Sequence, residues 1–500
     1  MPSFSASLSN AARKACLLAA ASALTIVCAS TAHAAVVISS GATKNIACAS
    51  GVCTPTAKFA VLNVGQLESL LASGKVKVTT GGAKASDITI TAALSWASSN
   101  RLALTAYRSI TINKAVAVNG TGALILVTNN GGTGGTLSFG RTGHISFLST
   151  ANNLTINGAA YTLVADTTTL ANDIASNPGG DFALASDYNA TGNPSFVGTM
   201  FTGNFQGLGN TISDLEVTSS SEYTGLFAQV GPGGTVENTR LTKATITINN
   251  NIGSENNDAQ GGILVGLNQG LLEGDSVDGH VRGQNTVFAG GLVGYNEGGS
   301  VVASYASATV TANDRFEREN SLVGGLVGYN NMGLISNSYA TGEVKSFSND
   351  SVGGLIGFDV GGTIANSYAT GSVKGGSGAT VGGLAGYNAS SSNSAGSGGT
   401  IIGSYSTGAA SVGSDSFVGG LVGEEDTANP DSACYWDTTT SGITNLSQGA
   451  GKPSNDPGIT GLSTAQLQAG LPSGFDPTIW GESPSINGGL PYLLALPPPA

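Results

Sequence analysis

Charge is scarce in this chain: 10% of its 500 residues are Asp, Glu, Lys or Arg, against about 25% in an ordinary domain. Basic residues are scarcer than acidic ones, 19 against 31. Such a balance disfavours nucleic acid and anionic membrane as partners. Histidine occurs three times. His144 and His280 are far apart and have no ligand spacing around them, so a histidine metal site or a histidine base is not indicated. Beyond residue 34 no apolar run reaches about 18 residues, which excludes an integral membrane helix there. Serine abounds, but no Gly-x-Ser-x-Gly elbow with partners stands out. The glycine-rich runs lack the Gly-Lys-Ser/Thr ending of a phosphate loop. No cofactor is implied.

Glycine is what the chain has in excess, 75 residues, about twice the usual share. It is placed periodically. Gly-Gly-Leu-Val-Gly stands at 290–294, 324–328 and 419–423, with variants at 353–357 and 382–386 and a degenerate copy at 261–266. The starts at 261, 290, 324, 353 and 382 are separated by 29, 34, 29 and 29 residues. A fixed period in this range is the mark of a solenoid, whose repeats bury their apolar faces only against one another. A second element keeps step: Tyr305, Tyr339 and Tyr368, each in Ser-Tyr-Ala, follow the first glycine by 15 residues.

Each unit reads as short strands separated by Gly/Asn turns, and no run has helical apolar spacing. The fold class is therefore all-β, a right-handed parallel β-helix with N- and C-terminal caps. In such a stack like residues lie above like at roughly 4.8 Å. Leu326, Leu355, Leu384 and Leu421 are expected to form an apolar ladder. Tyr295, Tyr329, Phe358 and Tyr387 would form an aromatic one, and Asn296, Asn330 and Asn388 a hydrogen-bonded one. Glycine at the corners serves positive φ or close backbone approach.

Along the chain, residues 1–34 read as a secretory signal: Arg13 and Lys14, an apolar stretch from Cys16 to Val27, then Ala32-His33-Ala34. Its removal leaves 17 basic residues against 31 acidic, a charge near −14. Residues 35–86 form the N-terminal cap segment, with a short amphipathic helix near Val64–Leu71. Residues 87–200 carry further coils with a lateral loop near 161–200, where Asp166 is a helix N-cap. The repeat region is 201–433, and 434–500 is an irregular C-terminal cap or tail. In an oxidising compartment Cys48 and Cys53 are a candidate disulfide, which leaves Cys434 unpaired and buried.

The units Gly-Gly-Leu-Val-Gly-Tyr-Asn and Asn-Ser-Tyr-Ala-Thr-Gly, preceded by Phe205–Ser213 and followed by Cys434-Tyr435-Trp436-Asp437 and Gly488–Tyr492, closely resemble the GLUG motif of large bacterial surface proteins, among them adhesins like filamentous haemagglutinin. The resemblance covers about 201–442. It implies export through the inner membrane to the cell surface or extracellular space, with the periplasm as the alternative, and often adhesion to a host cell, matrix or glycan. The Asn-Pro-Asn motifs of the two-partner secretion domain and a peptidase signature are absent from the sequence.

Candidate contact residues lie in the two insertions between repeats: Asp314, Arg315, Glu317, Arg318 and Glu319 in the first, Asn388 and Ser394 at the second. Glu424, Glu425 and Asp426 replace Tyr-Asn in the last copy and are a candidate cation site. The expectation is a non-enzymatic exported adhesin. A polysaccharide-active β-helix enzyme, which would need carboxylates converging on one face, and a matrix component without a specific ligand are the alternatives.

Overall fold

The computed structural model describes residues 35–82, 85–249, 259–285, 287–313, 320–390, 399–426 and 431–498. The chain forms a parallel β-helix in two stacks of coils joined by one continuous sheet. In the first stack each coil contributes three strands. One column holds Ala35–Ser39, Asp87–Ile90, Ile110–Ile112 and Leu137–Phe139; the next holds Leu94–Trp96, Val116–Val118 and Ile145–Phe147. The third runs through Val76–Thr79, Arg101–Thr105, Ala123–Val127 and Asn153–Ile156. Alternate residues point inward, so Ile88, Ile110, Leu102 and Leu124 are buried at successive levels. That is the period-two pattern of a strand with one face in the core.

Residues 35–86 do more than cover an end, since Ala35–Ser39 already pairs with Asp87–Ile90. The covering is done by helix α1, Val64–Ser73, started by the Asn63 side chain accepting from the Gln66 N–H. It packs where the second column has no earlier strand. Leu67 and Leu71 enter the core, and Glu68 Oε1 accepts the N–H of Ser95, a strand-edge donor, at 2.8 Å. An exposed sheet edge is thus answered by a side chain. Cys48 and Cys53 are disulfide-bonded across the neighbouring hairpin, and Cys434 is free and buried.

The two stacks meet at a hairpin. Asn157 and Gly158 both have positive φ, 50° and 90°, and Ala159–Val164 runs antiparallel to Asn153–Ile156. A two-residue Asn-Gly loop with both residues left-handed is the turn that a tight hairpin demands. Beyond it, helix α2 (Thr167–Ser176, N-capped by Asp166) bridges to Asp181–Leu184 and Asn204–Gln206. From there parallel stacking resumes through 462, so strand direction in the shared sheet is opposite on the two sides of the hairpin.

In the second stack the repeat maps onto one coil. Leu322–Gly324, Val327–Asn331, Leu334–Ser336, Tyr339–Ala340 and Val344–Lys345 pair in register with the same elements one coil later, from Ser351–Gly353 to Val373–Lys374. Leu326, Leu355, Leu384 and Leu421 are fully buried, and the N–H of each of the first three donates to the carbonyl of the next at 2.8 Å. The motif glycines serve close approach here, without positive φ. A Cβ on Gly325 would collide with the Gly354 carbonyl, and one on Gly354 with that of Gly383. Left-handed backbone appears at another corner, at Ala303, Asn337, Asn366 and Gly403. The serine after each turns inward: the Ser304 N–H donates to Ser338 Oγ, Ser338 N–H to Ser367 Oγ, and Ser367 N–H to Ser404 Oγ.

Residues 434–462 continue the stack, since Cys434–Asp437 pairs with Tyr405–Ser406 and with Ile459–Leu462. The segment after 463 then lies along the side. Leu467, Phe475, Trp480 and Leu493 bury the ladder of Tyr339, Tyr368, Tyr405 and Tyr435. Replacing Gly354 by alanine is expected to lower stability by about 1–3 kcal/mol, since backbone meets backbone. Alanine at Gly298, whose φ is +65° with open space around the Cβ, should cost roughly 1 kcal/mol. Urea unfolding of both variants checks the order.

Candidate functional site

The two inserted segments offer no site among the described residues: Asp314, Arg315, Glu317, Arg318, Glu319 and Ser394 lie outside them. Asn388 is corrected. It is fully buried and donates to Glu425 Oε1 at 2.8 Å, so it belongs to the internal amide ladder and is closed to a partner. The insertion follows the last ladder residue and does not include it. Glu424, Glu425 and Asp426 do not converge. Glu425 turns inward to Asn388, while Glu424 turns outward and binds Lys452 at 2.8 Å. Alternation along a strand separates neighbours onto opposite faces.

The outward aromatic ladder is also structural. Tyr295 and Tyr329 stack at 4.8 Å with an interplanar angle of 6°, and Tyr329 and Phe358 at 5.5 Å and 14°. Ring faces are therefore covered by neighbouring rungs and ring edges meet solvent. A sugar stacks on an aromatic face, so this ladder is not a stacking platform.

A concave site does form where the two stacks meet. A cavity of about 370 Å³ is lined by Thr128, Asn129 and Asn157 of the first stack and, beyond the hairpin, by Tyr161, Asn204, Gln206, Glu237 and Glu273. The hairpin at Asn157-Gly158 creates it, because reversal of the stack interrupts the coil-on-coil order that fills the interior elsewhere. Its second wall is a run of neighbouring strands in which Gln206 pairs with Glu237, and Glu237 with Glu273. Outward-facing positions of successive rungs thus line up Gln206, Glu237 and Glu273.

The wall is tied together by side chains. Gln206 Nε2 donates to Glu237, and Asn238 Nδ2 donates to Gln206 Oε1 at 3.1 Å. Thr235 donates to Asn204 Oδ1 at 2.8 Å, whose Nδ2 donates to Asp181 at 2.6 Å. On the opposite wall Asn157 Oδ1 accepts the Thr128 N–H at 2.8 Å. Burial, and then the neighbouring Glu273, push the Glu237 carboxyl up to about 7. Burial raises Glu273 too, and burial with the nearby Asp181 and Glu237 raises the Tyr161 hydroxyl. Two carboxyls one strand apart disfavour double ionisation, so near neutrality the pair holds a proton while offering acceptor oxygens. Among the described residues no group of three or more His, Cys, Asp or Glu is placed to hold a metal ion.

Sequence reasoning passed over these residues because they come from rungs far apart in the chain. Two signals were present: the Asn-Gly pair at 157–158 between two alternating runs, and glutamates at 237 and 273 in corresponding rung positions. Glu237 gives stability a pH dependence of definite sign. Its folded value lies above the unfolded one, so its contribution is complete below about pH 4.5 and is lost as pH rises through about 7. Thermal unfolding across this range should show a decline that Glu237→Gln flattens, by at most ~3 kcal/mol.

The family described as "The GLUG motif" matches residues 289–311 and 319–345. Each match falls on one coil of the second stack, where Gly290–Thr311 and Leu322–Lys345 supply successive rungs. A curated protein named halomucin, from Haloquadratum walsbyi, is 34% identical over 113 residues, which is 22% of this chain. The matched segment spans 1% of halomucin's own length. The repeated glycine-leucine phrase, its register in the stack and the family match agree: the chain carries GLUG motifs, and the two matched motifs are successive coils of a parallel β-helix.

Proposed function

We propose that the protein is exported and acts at the cell surface or in the extracellular space as a non-enzymatic adhesive β-helix. Its contact with glycans is made at the cleft between the two stacks. The observation that carries this reading is the cleft's lining, in which amide, hydroxyl and carboxyl groups face one concave space. Sugars are recognised by just such groups, arranged to receive and donate to hydroxyls, with an apolar surface to one side; Tyr161 can serve as that surface. The signal-like segment at 1–34, a surface of low charge and the GLUG coils support export and a surface role. The strongly acidic balance disfavours nucleic acid and anionic membrane as partners. Among the described residues no helix is long and apolar enough to cross a membrane.

A second reading has its own support. Glu237 and Glu273 face one cleft, one of them protonated near neutrality, and a carboxyl pair of unequal protonation is the apparatus of glycoside hydrolysis. A glycan array probed with the purified protein, followed by assay of the captured glycans for new reducing ends, separates the two. Capture without cleavage, weakened about tenfold or more by Glu273→Gln, is expected. Cleavage abolished by Glu237→Gln would establish the enzyme instead. Capture unaffected by either substitution would remove the cleft from both readings.

A further inference from the structure

The amide ladder inside the second stack contains one residue of a different kind. Asn268 Nδ2 donates to Asn296 Oδ1 at 2.7 Å, and Asn296 Nδ2 donates to Asn330 Oδ1 at 2.6 Å. Asn330 Nδ2 donates to Asp359 Oδ1 at 2.5 Å, and Asn388 Nδ2 donates to Glu425 Oε1 at 2.8 Å. The chain of donors runs in one direction, and each asparagine supplies an N–H to the next rung. Asp359 occupies the rung between Asn330 and Asn388, in register with both, and has no N–H to supply.

The consequence shows in two neighbouring atoms. Asp359 Oδ2 and Asn388 Oδ1 are both buried, and neither finds a hydrogen-bond partner. Both face the same point, since a Cβ placed on Gly399 would touch both oxygens. Two unsatisfied acceptors side by side in a dry interior are costly. A single proton on Oδ2, donated to Asn388 Oδ1, removes both defects. The ladder asparagines at 296 and 330 also donate to the glycine carbonyl three residues on, Gly299 and Gly333. Those carbonyls each also accept one N–H from the next coil, as Gly362 accepts that of Thr400, but a proton aimed at Gly362 would leave Asn388 Oδ1 unsatisfied, whereas one aimed at Asn388 Oδ1 satisfies both atoms.

We infer that Asp359 is held in the folded protein as the neutral acid, its Oδ2–H donating to Asn388 Oδ1, so that cohesion between these two rungs depends on a proton. One proton restores an unbroken line of donors from Asn268 to Glu425. Burial pushes the Asp359 carboxyl up to about 7, against the lowering effects of the Asn330 amide and the Gly362 N–H. The titratable groups facing it are Tyr329 on the preceding rung, Asp431 in the segment that follows, and Glu425 beyond Asn388. None is a cation, so nothing nearby favours the carboxylate by charge. With the folded value above the unfolded one, the contribution is complete at low pH and is lost as pH rises through about 7.

The test is D359N, which places in this rung the residue its neighbours carry. Thermal midpoints of wild type and D359N should nearly coincide at about pH 4, with the variant a few degrees higher by about pH 8. A difference infrared spectrum at about pH 6 should show a carboxylic-acid carbonyl band in the wild type that the variant lacks. Should D359N not fold, D359S serves as the spectral blank. Melting curves that keep a constant separation across this pH range would overturn the inference, as would the absence of the acid band. Glu237 and Asp275 titrate equally in both proteins; Asp431 faces Asp359, so the same pair is also compared in a D431N background, where the remaining difference reports on Asp359.

Discussion

Everything in this molecule follows from stacking like on like at the spacing of adjacent strands. A coil cannot choose its neighbours; it meets a near copy of itself one strand away. Under that constraint a side chain is judged by whether it tolerates its own image. Leucine tolerates it by dispersion, as Leu326, Leu355, Leu384 and Leu421 do in the core. Tyrosine tolerates it by parallel ring contact, as Tyr339, Tyr368 and Tyr405 do at 4.7 and 5.1 Å. Asparagine and serine tolerate it because each carries both a donor and an acceptor, so identical copies can bond in a line. Glycine is required where the backbones of successive coils come closest, because a methyl group at Gly325 or Gly354 would meet the carbonyl one coil away.

Carboxylates fail the same criterion. They carry acceptors and negative charge, and a copy above or below adds repulsion to desolvation. This explains why the few buried acids sit where a proton or an amide can mediate. Asp275 accepts the Thr239 N–H at the end of the serine relay. Glu425 closes the asparagine line, and Asp359 interrupts it. Glu237 and Glu273 are the in-register pair of glutamates in the cleft wall, and they share a concave surface with Gln206 and Asn238 instead of a closed interior. Scarcity of charge has an origin in this rung geometry.

Legibility in the sequence follows from the same principle. The second stack is plain because its coils repeat glycine positions imposed by backbone approach, where from Gly291 to Gly383 a Cβ would meet the carbonyl one coil away. The ladders of leucine, tyrosine and asparagine could be named residue by residue for that reason. The first stack repeats only apolar alternation. Its strands at Leu94–Trp96 and Val116–Val118 went unread, since three-residue segments between turns give too little period to recognise. Helix α1 was visible through its amphipathic spacing, but its task of covering a strand edge required knowing which column began late. Asn388 was misassigned because low-complexity composition begins one or two residues after it, and composition does not mark where the strand stops. The tail's aromatic residues were evident, whereas their seat along the tyrosine ladder depended on that ladder facing outward there.

The cleft was illegible for a deeper reason, and the same reason argues for its importance. A perfect solenoid fills its interior and brings corresponding residues together along a flat face, so its rungs alone enclose no concave space. A concave space needs a break in the repetition. Here the break is the Asn157-Gly158 reversal, which sets the end of one stack against the flank of the other. Ile145 N–H donates to the Leu208 carbonyl, and Arg240 reaches the Gly140 carbonyl at 2.7 Å. Those contacts hold the walls apart at fixed separation and leave the space between them lined with unlike residues. Repetition supplies rigidity, and the interruption supplies a surface that no single repeat encodes.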